Sequence, residues 1–175
     1  GMFPQGNSQS ISGEFGELRA YLLAKLMWNP YEDVDALIVE FCDKVYGEAA
    51  EMNAMLLKLI QENKGKFRCS FSITGIAIEQ FKAYAPEVLE SFKQLADTGY
   101  VEFLGETYSH SLASLASVDE FKNEVKLHTA MLKEEFGVKP TAFRNTELIY
   151  SDEIARTVEA MGFKTMLAEG AKHIL

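Results

Sequence analysis

From residue 67 onward the chain alternates short runs rich in β-branched and aromatic residues with longer amphipathic stretches. That alternation admits few folds, because strands joined through helices must run in one direction. The β-like runs lie at 67–74, 100–104, 141–146 and 164–168. The stretch 76–97 reads as helical and is broken at Pro86, which suits the first position of a second helix. Ser117 with Glu120 forms an S-x-x-E start for a helix whose Phe121, Val125, Leu127, Leu132 and Phe136 fall near one stripe, stopped by Gly137 and Pro140. Ser151 opens a further helix over 152–161, ended by Gly162. The expectation is an α/β region of four parallel strands with right-handed crossovers and a common carboxyl edge.

The first 65 residues read differently. Three helical patterns, at 14–28, 33–46 and 48–63, follow one another without a strand and are punctuated by Asn29-Pro30 and Gly47. The third, with Met52, Met55, Leu56, Leu59 and Ile60 on one side, reads as a core-facing crossover helix feeding the first strand. Trp28, beside Tyr31, reads as packing within the helical hairpin. The organisation expected is a helical segment at 1–48 and an α/β region at 49–175.

Composition limits the partners. The chain has 175 residues, 17 Lys+Arg against 26 Asp+Glu, a net charge of −9 and 47% hydrophobic residues, values of a soluble globular protein. An acidic chain is poorly suited to gripping nucleic acid, which needs clustered Lys and Arg. The apolar stretch 20–28 carries Lys25 and falls far short of a bilayer span, and no export signal is visible, so a cytoplasmic protein without a membrane partner is expected. Cys42 and Cys69 lack C-x-x-C spacing and read as free, buried thiols. His110, His128 and His173 show no H-x-H or H-x-x-x-H spacing, so neither a metal site nor a cofactor is expected. His128 and His173 read as structural or solvated.

In parallel α/β folds ligands gather at the carboxyl ends of the strands. Three glutamates fall there: Glu106, Glu147 and Glu169, each following a β-like run. Arg144 and Asn145 precede Glu147, and Thr107, Tyr108, Ser109 and His110 follow Glu106. A rim of carboxylates with a histidine and tyrosines suits a sugar, whose hydroxyls need acceptors and whose bond cleavage needs carboxyl groups. Glutamates are common in so acidic a chain, and a loop-capping Glu106 is the plain alternative.

The motifs S-F-S-I-T-G (70–75), V-E-F-L-G-E-T-Y-S-H-S-L (101–112), F-R-N-T-E-L-I-Y (143–150) and M-L-A-E-G-A-K-H-I-L (166–175) carry a resemblance. From about residue 49 to 175 the chain resembles the N-terminal half of a family-57 glycoside hydrolase of the α-amylase type. The resemblance implies part of an incomplete seven-fold β/α barrel and retaining cleavage or transfer of α-glucan or maltooligosaccharide links. It implies that Glu147, in R-N-T-E, is the catalytic nucleophile, and that Glu106, Tyr108, His110 and Arg144 line the substrate site. The family's opening His-Gln-Pro strand and its acid/base Asp have no counterpart in these residues, which implies a fragment or a chimera. Residues 3–48, with G-N-S-Q-S (6–10), are similar to the C-terminal helical part of an uncharacterised bacterial family associated with carbohydrate-active domains.

Two other classes remain in view. A non-catalytic carbohydrate-binding or structural module would use the same carboxylate rim without cleavage. A metal-dependent polysaccharide deacetylase on a related barrel would need an Asp-Asp pair and an H-x-x-x-H set, which the sequence lacks. Exposed strand edges would favour pairing with a second copy of the chain.

Overall fold

Capping side chains start the helices where the sequence places them. In the computed structural model, which describes residues 16–169, Thr74 Oγ1 accepts from Ala77 N–H at 3.1 Å and starts α3 (Gly75–Tyr84). Pro86 opens α4 (Pro86–Asp97), directly after the break at Ala85. Ser117 accepts from Glu120 N–H at the head of α6 (Val118–Phe136), whose C-cap Gly137 is left-handed at φ 68°. Ser151 does the same for Ile154 N–H at α7 (Asp152–Ala160). A short α5 (Ala113–Ala116) precedes α6.

The strands are β1 (Cys69–Phe71), β2 (Val101–Phe103), β3 (Ala142–Arg144) and β4 (Thr165–Leu167). β1 pairs with β2 and β3 with β4, both parallel, with Phe71 opposite Phe103 and Phe143 opposite Met166. A parallel bridge between Gly105 and Phe143 joins the two ladders, giving the spatial order β1-β2-β3-β4. Each ladder is shorter than its β-like run because the flanking residues take other partners. Thr74 turns to cap α3, and Asn145 closes a turn onto the Ile149 carbonyl at 2.9 Å.

The core between sheet and helices is aromatic. Phe103 stacks on Phe136 at 4.5 Å between ring centroids, and Phe143 meets Phe121 at 5.8 Å and Phe163 at 5.1 Å, edge to face. Burying each such ring contributes roughly 2–3 kcal/mol. Gly105 belongs where it does because a Cβ there would stand 2.4 Å from the Phe163 ring.

Two compact units divide the chain, 1–49 and 50–175. In the first, α1 (Gly16–Trp28) and the start of α2 (Val34–Glu62) meet through Tyr21 and Phe41, 5.5 Å between ring centroids, and through Lys25 and Glu40 at 3.2 Å. The helical patterns at 33–46 and 48–63 are one helix, α2 (Val34–Glu62), which runs straight through Gly47. A single interior glycine costs only about 1 kcal/mol, which the helix-forming residues on either side outweigh.

The buried face of α2 also differs from expectation. Ile60 is buried as expected, but Met52, Met55 and Leu59 are exposed, whereas Asn53 is buried and its Nδ2 donates to Ser91 Oγ at 2.9 Å. A polar anchor on α4 has set the helix rotation, against the methionine stripe. Trp28 and Tyr31 are exposed and do not pack within the hairpin. Cys42 is buried as expected, Cys69 only half-buried, and both are free. Among the described residues no helix is long and apolar enough to cross a membrane.

Candidate functional site

The carboxyl edge of the strands is where the chain places its buried polarity. Among the described residues the buried polar side chains are Asn53, Glu106, Thr107, His128, Asn145 and Thr146, and all but the first gather at this edge. Burying a polar group without a partner costs about 1–3 kcal/mol, so the bonds made here determine the local structure.

Glu106 leaves the end of β2 through Gly105 and is only 1% exposed. Ser72 Oγ, beyond the end of β1, donates to its Oε1 at 2.7 Å. His110 Nδ1 stands 3.7 Å from its Oε2, and His110 Nε2 stands 3.7 Å from Glu147 Oε1, so one imidazole lies against both carboxyl groups. Glu147 follows β3 in a 3₁₀ turn (Thr146–Leu148), and its side chain is 63% exposed.

The backbone is strained here. His110, Glu147 and Leu148, at φ 56°, 54° and 56°, are the non-glycine residues with left-handed backbones among those described. Such conformations cost about 1–3 kcal/mol each and persist where the surroundings impose them. The surroundings are a hydrogen-bonded frame. Thr107 and Thr146 join their hydroxyls at 2.9 Å, tying the segment after β2 to the segment after β3. Glu124 on α6 accepts from Ser109 N–H and Oγ–H at 2.8 and 2.7 Å. Asn145 Nδ2 donates to Ser114 Oγ and to the Ile149 carbonyl, and since a carbonyl can only accept, the amide's orientation is settled. Its Oδ1 is then a buried acceptor without a partner among the described residues.

His128 completes the frame from α6. Its Nε2 lies 2.8 Å from the Ile73 carbonyl and its Nδ1 takes the Glu106 N–H at 3.3 Å. These two bonds require the tautomer with the proton on Nε2. Burial pushes His128 below its ordinary value of 6.5, with the Ile73 hydrogen bond and the Glu106 charge pulling the other way.

The remaining predicted residues are placed as follows. Tyr108 donates its hydroxyl to Glu79 Oε1 at 2.5 Å; burial first, then that bond and charge, push it up to about 12. Arg144 is half-buried and has no carboxylate within 4 Å among the described residues, so it does not neutralise Glu147 here. Glu169 is exposed after β4, its N–H 3.4 Å from the Leu148 carbonyl. His173 lies outside the described residues. No cluster of three or more His, Cys, Asp or Glu side chains among the described residues could hold a metal ion.

Sequence reasoning misses His128 and Ser72 as parts of the site, and, although it puts Thr107 at this edge, it misses the bond that joins Thr107 to Thr146. The signal for His128 was the helical stripe itself: the buried positions of α6 are Phe121, Val125, His128, Leu132 and Phe136, whereas Leu127 is exposed. A histidine at a core position of that stripe has to bond something.

Comparison with known proteins gives the frame. Residues 13–175 match the family model for glycosyl hydrolase family 57, a match that extends over most of the helical segment at 1–48. A protein of Methanocaldococcus jannaschii described as "Putative alpha-amylase" is 42% identical over 151 residues, which cover 85% of this chain and 32% of that protein. The chain thus spans about a third of the length of this relative, 32%. Among solved structures, a 4-alpha-glucanotransferase from Thermococcus litoralis superimposes with a TM-score of 0.57 at 14% identity, over 70% of this chain and 19% of that one. A CE4 family pseudoenzyme from Bacillus anthracis superimposes with a TM-score of 0.53 at 16% identity, over 68% of this chain and 39% of that one. At such identities the likeness is one of fold, an α/β arrangement with parallel strands.

Proposed function

The chain belongs to glycosyl hydrolase family 57, and on that premise we propose that it supplies the nucleophile side of a retaining site for an α-glucan or maltooligosaccharide. Glu147 is the nucleophile. Its carboxylate attacks C1 of the sugar, the bond from C1 to the leaving oxygen breaks, and a glycosyl ester on Glu147 results, later released by water or by a sugar hydroxyl. The leaving oxygen takes its proton from a general acid, which in retaining enzymes stands about 5–5.5 Å from the nucleophile. That role is not given to Glu106, whose carboxyl is buried and bonded to Ser72.

The observation that carries this reading is the single imidazole of His110 within 3.7 Å of both Glu106 and Glu147, at the edge where the strands end. Glu106 and His110 line the sugar site as a coupled pair. Arg144, free of carboxylate partners within 4 Å among the described residues, is available to sugar hydroxyls. Tyr108, with its hydroxyl held by Glu79, has its ring to offer a sugar face. The parallel strands are taken as part of an incomplete seven-fold β/α barrel, preceded in the chain by a helical segment at 1–48, working in the cytoplasm. The outer edges of β1 and β4 are read as surfaces for further strands or a second copy.

α-Maltosyl fluoride tests the assignment, because fluoride leaves without acid assistance. Nucleophilic attack by Glu147 breaks C1–F, releases fluoride and leaves a maltosyl ester that mass spectrometry locates on the peptide containing Glu147. Glu147→Gln is expected to abolish labelling. Labelling that survives Glu147→Gln would remove this residue from the mechanism, and maltooligosaccharide binding without any labelling would favour a non-catalytic carbohydrate-binding module.

A further inference from the structure

The frame behind Glu106 converges on one side chain that no motif of the rim contains. His128 is fully buried on α6, and it bonds two backbone groups that leave different strands: the Ile73 carbonyl after β1 and the Glu106 N–H after β2. The two bonds differ in what they ask of the ring. Ile73 needs a donor at Nε2, and Glu106 needs a lone pair at Nδ1. No apolar side chain of that volume could supply either, although the other buried positions on the same stripe are Phe121, Val125, Leu132 and Phe136.

We propose that His128 is the positioning residue of Glu106: through Nδ1 it holds the Glu106 backbone, and so fixes where the end of β2 presents the carboxyl group that Ser72 and His110 engage. A shift of this N–H would carry the Glu106 carboxyl with it, and with that the placement of His110 between Glu106 and Glu147. Substrate positioning in a site of this kind is sensitive to displacements of about 1 Å. His128 touches neither substrate nor reacting atoms. Its functional consequence rests on the reading that Glu106 lines the sugar site.

The two bonds can be cut one at a time. In His128→Gln the amide nitrogen falls near the place of Nε2 and can still reach the Ile73 carbonyl, but nothing accepts from Glu106. In His128→Asn the amide oxygen falls near the place of Nδ1 and restores that acceptor, while the bond to Ile73 is lost. The ¹⁵N-labelled 175-residue chain would be titrated with maltotriose, with the His128 tautomer and the Glu106 amide shift read by NMR.

The expected results are the Nε2–H tautomer, a displaced Glu106 amide in His128→Gln with maltotriose affinity lowered about 10-fold, and near-parental affinity in His128→Asn. A variant that served only the fold would lose affinity with stability, so equal losses in both variants would overturn the proposal. So would an Nδ1–H tautomer, an unmoved Glu106 amide, or full maltotriose affinity in His128→Gln. If the parent chain does not bind maltotriose, the sugar-site reading fails, while the tautomer and the Glu106 amide still decide the role of His128. Should His128→Gln not fold, the parental tautomer and His128→Asn decide it.

Discussion

At the residue scale, the site is a case of polar groups buried where their partners are supplied by three separate elements. Glu106 takes Ser72 from the segment after β1, His128 from α6 and His110 from its own loop. The histidine on α6 also gives the molecule a pH dependence whose sign is determined. Burial lowers His128 below 6.5 in the folded chain, so above that value both folded and unfolded forms carry a neutral ring. As pH falls through 6.5, the unfolded chain binds the proton first, and stability is lost progressively until the folded-state value is passed. Urea denaturation at several pH values between 8 and about 4 is therefore expected to show a loss toward acid that is smaller in His128→Asn. An identical slope in the variant would place the titration elsewhere.

At the element scale, caps and their spacing decide where helices begin, and packing decides which face they bury. Thr74, Ser117 and Ser151 each accept the backbone N–H three residues on, the two serines as their sequence positions imply and Thr74 from the end of a run that reads as strand. Ser151 has the greater consequence, because α7 is short and carries Ile154 and Val158 into the Phe143 cluster. Ser151→Ala is expected to cost about 1 kcal/mol of stability, read as a lowered urea midpoint with an unchanged slope. The face of α2 was not legible in the same way. Its methionines have the helical spacing of a core stripe, yet the bond from Asn53 to Ser91 turns a neighbouring face inward.

For the parallel strands as a whole, the critical position is the one that joins the two ladders. Gly105 pairs with Phe143 by backbone bonds of 2.8 Å on either side, to Ala142 and Arg144, and sits directly before Glu106. A methyl group there would meet the Phe163 ring at 2.4 Å. Gly105→Ala is expected to destabilise the 50–175 unit by roughly 1–3 kcal/mol through overpacking, with a fall in Tm measured by calorimetry. Because the shift acts on the same segment that carries Glu106, labelling by α-maltosyl fluoride is expected to fall as well. A variant with parental Tm would mean that Phe163 yields without cost.

What the sequence by itself determined was local. The alternation of β-like and amphipathic runs established four parallel strands, and serine, threonine, proline and glycine set the helix ends, because both depend on neighbours within a few residues. It also put Glu106 and Glu147 just past the ends of strands, because a position relative to a strand's end is read from the β-like run that precedes it. Only the tertiary structure brought His110 against both of them, left Arg144 without a carboxylate within 4 Å among the described residues, and set His128 beneath Glu106. Those contacts join residues separated along the chain by three-dimensional packing: Ile73 to His128, Ser72 to Glu106, Thr107 to Thr146. Spacing cannot report them, because a buried hydrogen bond is chosen by which polar atoms meet once the aromatic core has closed.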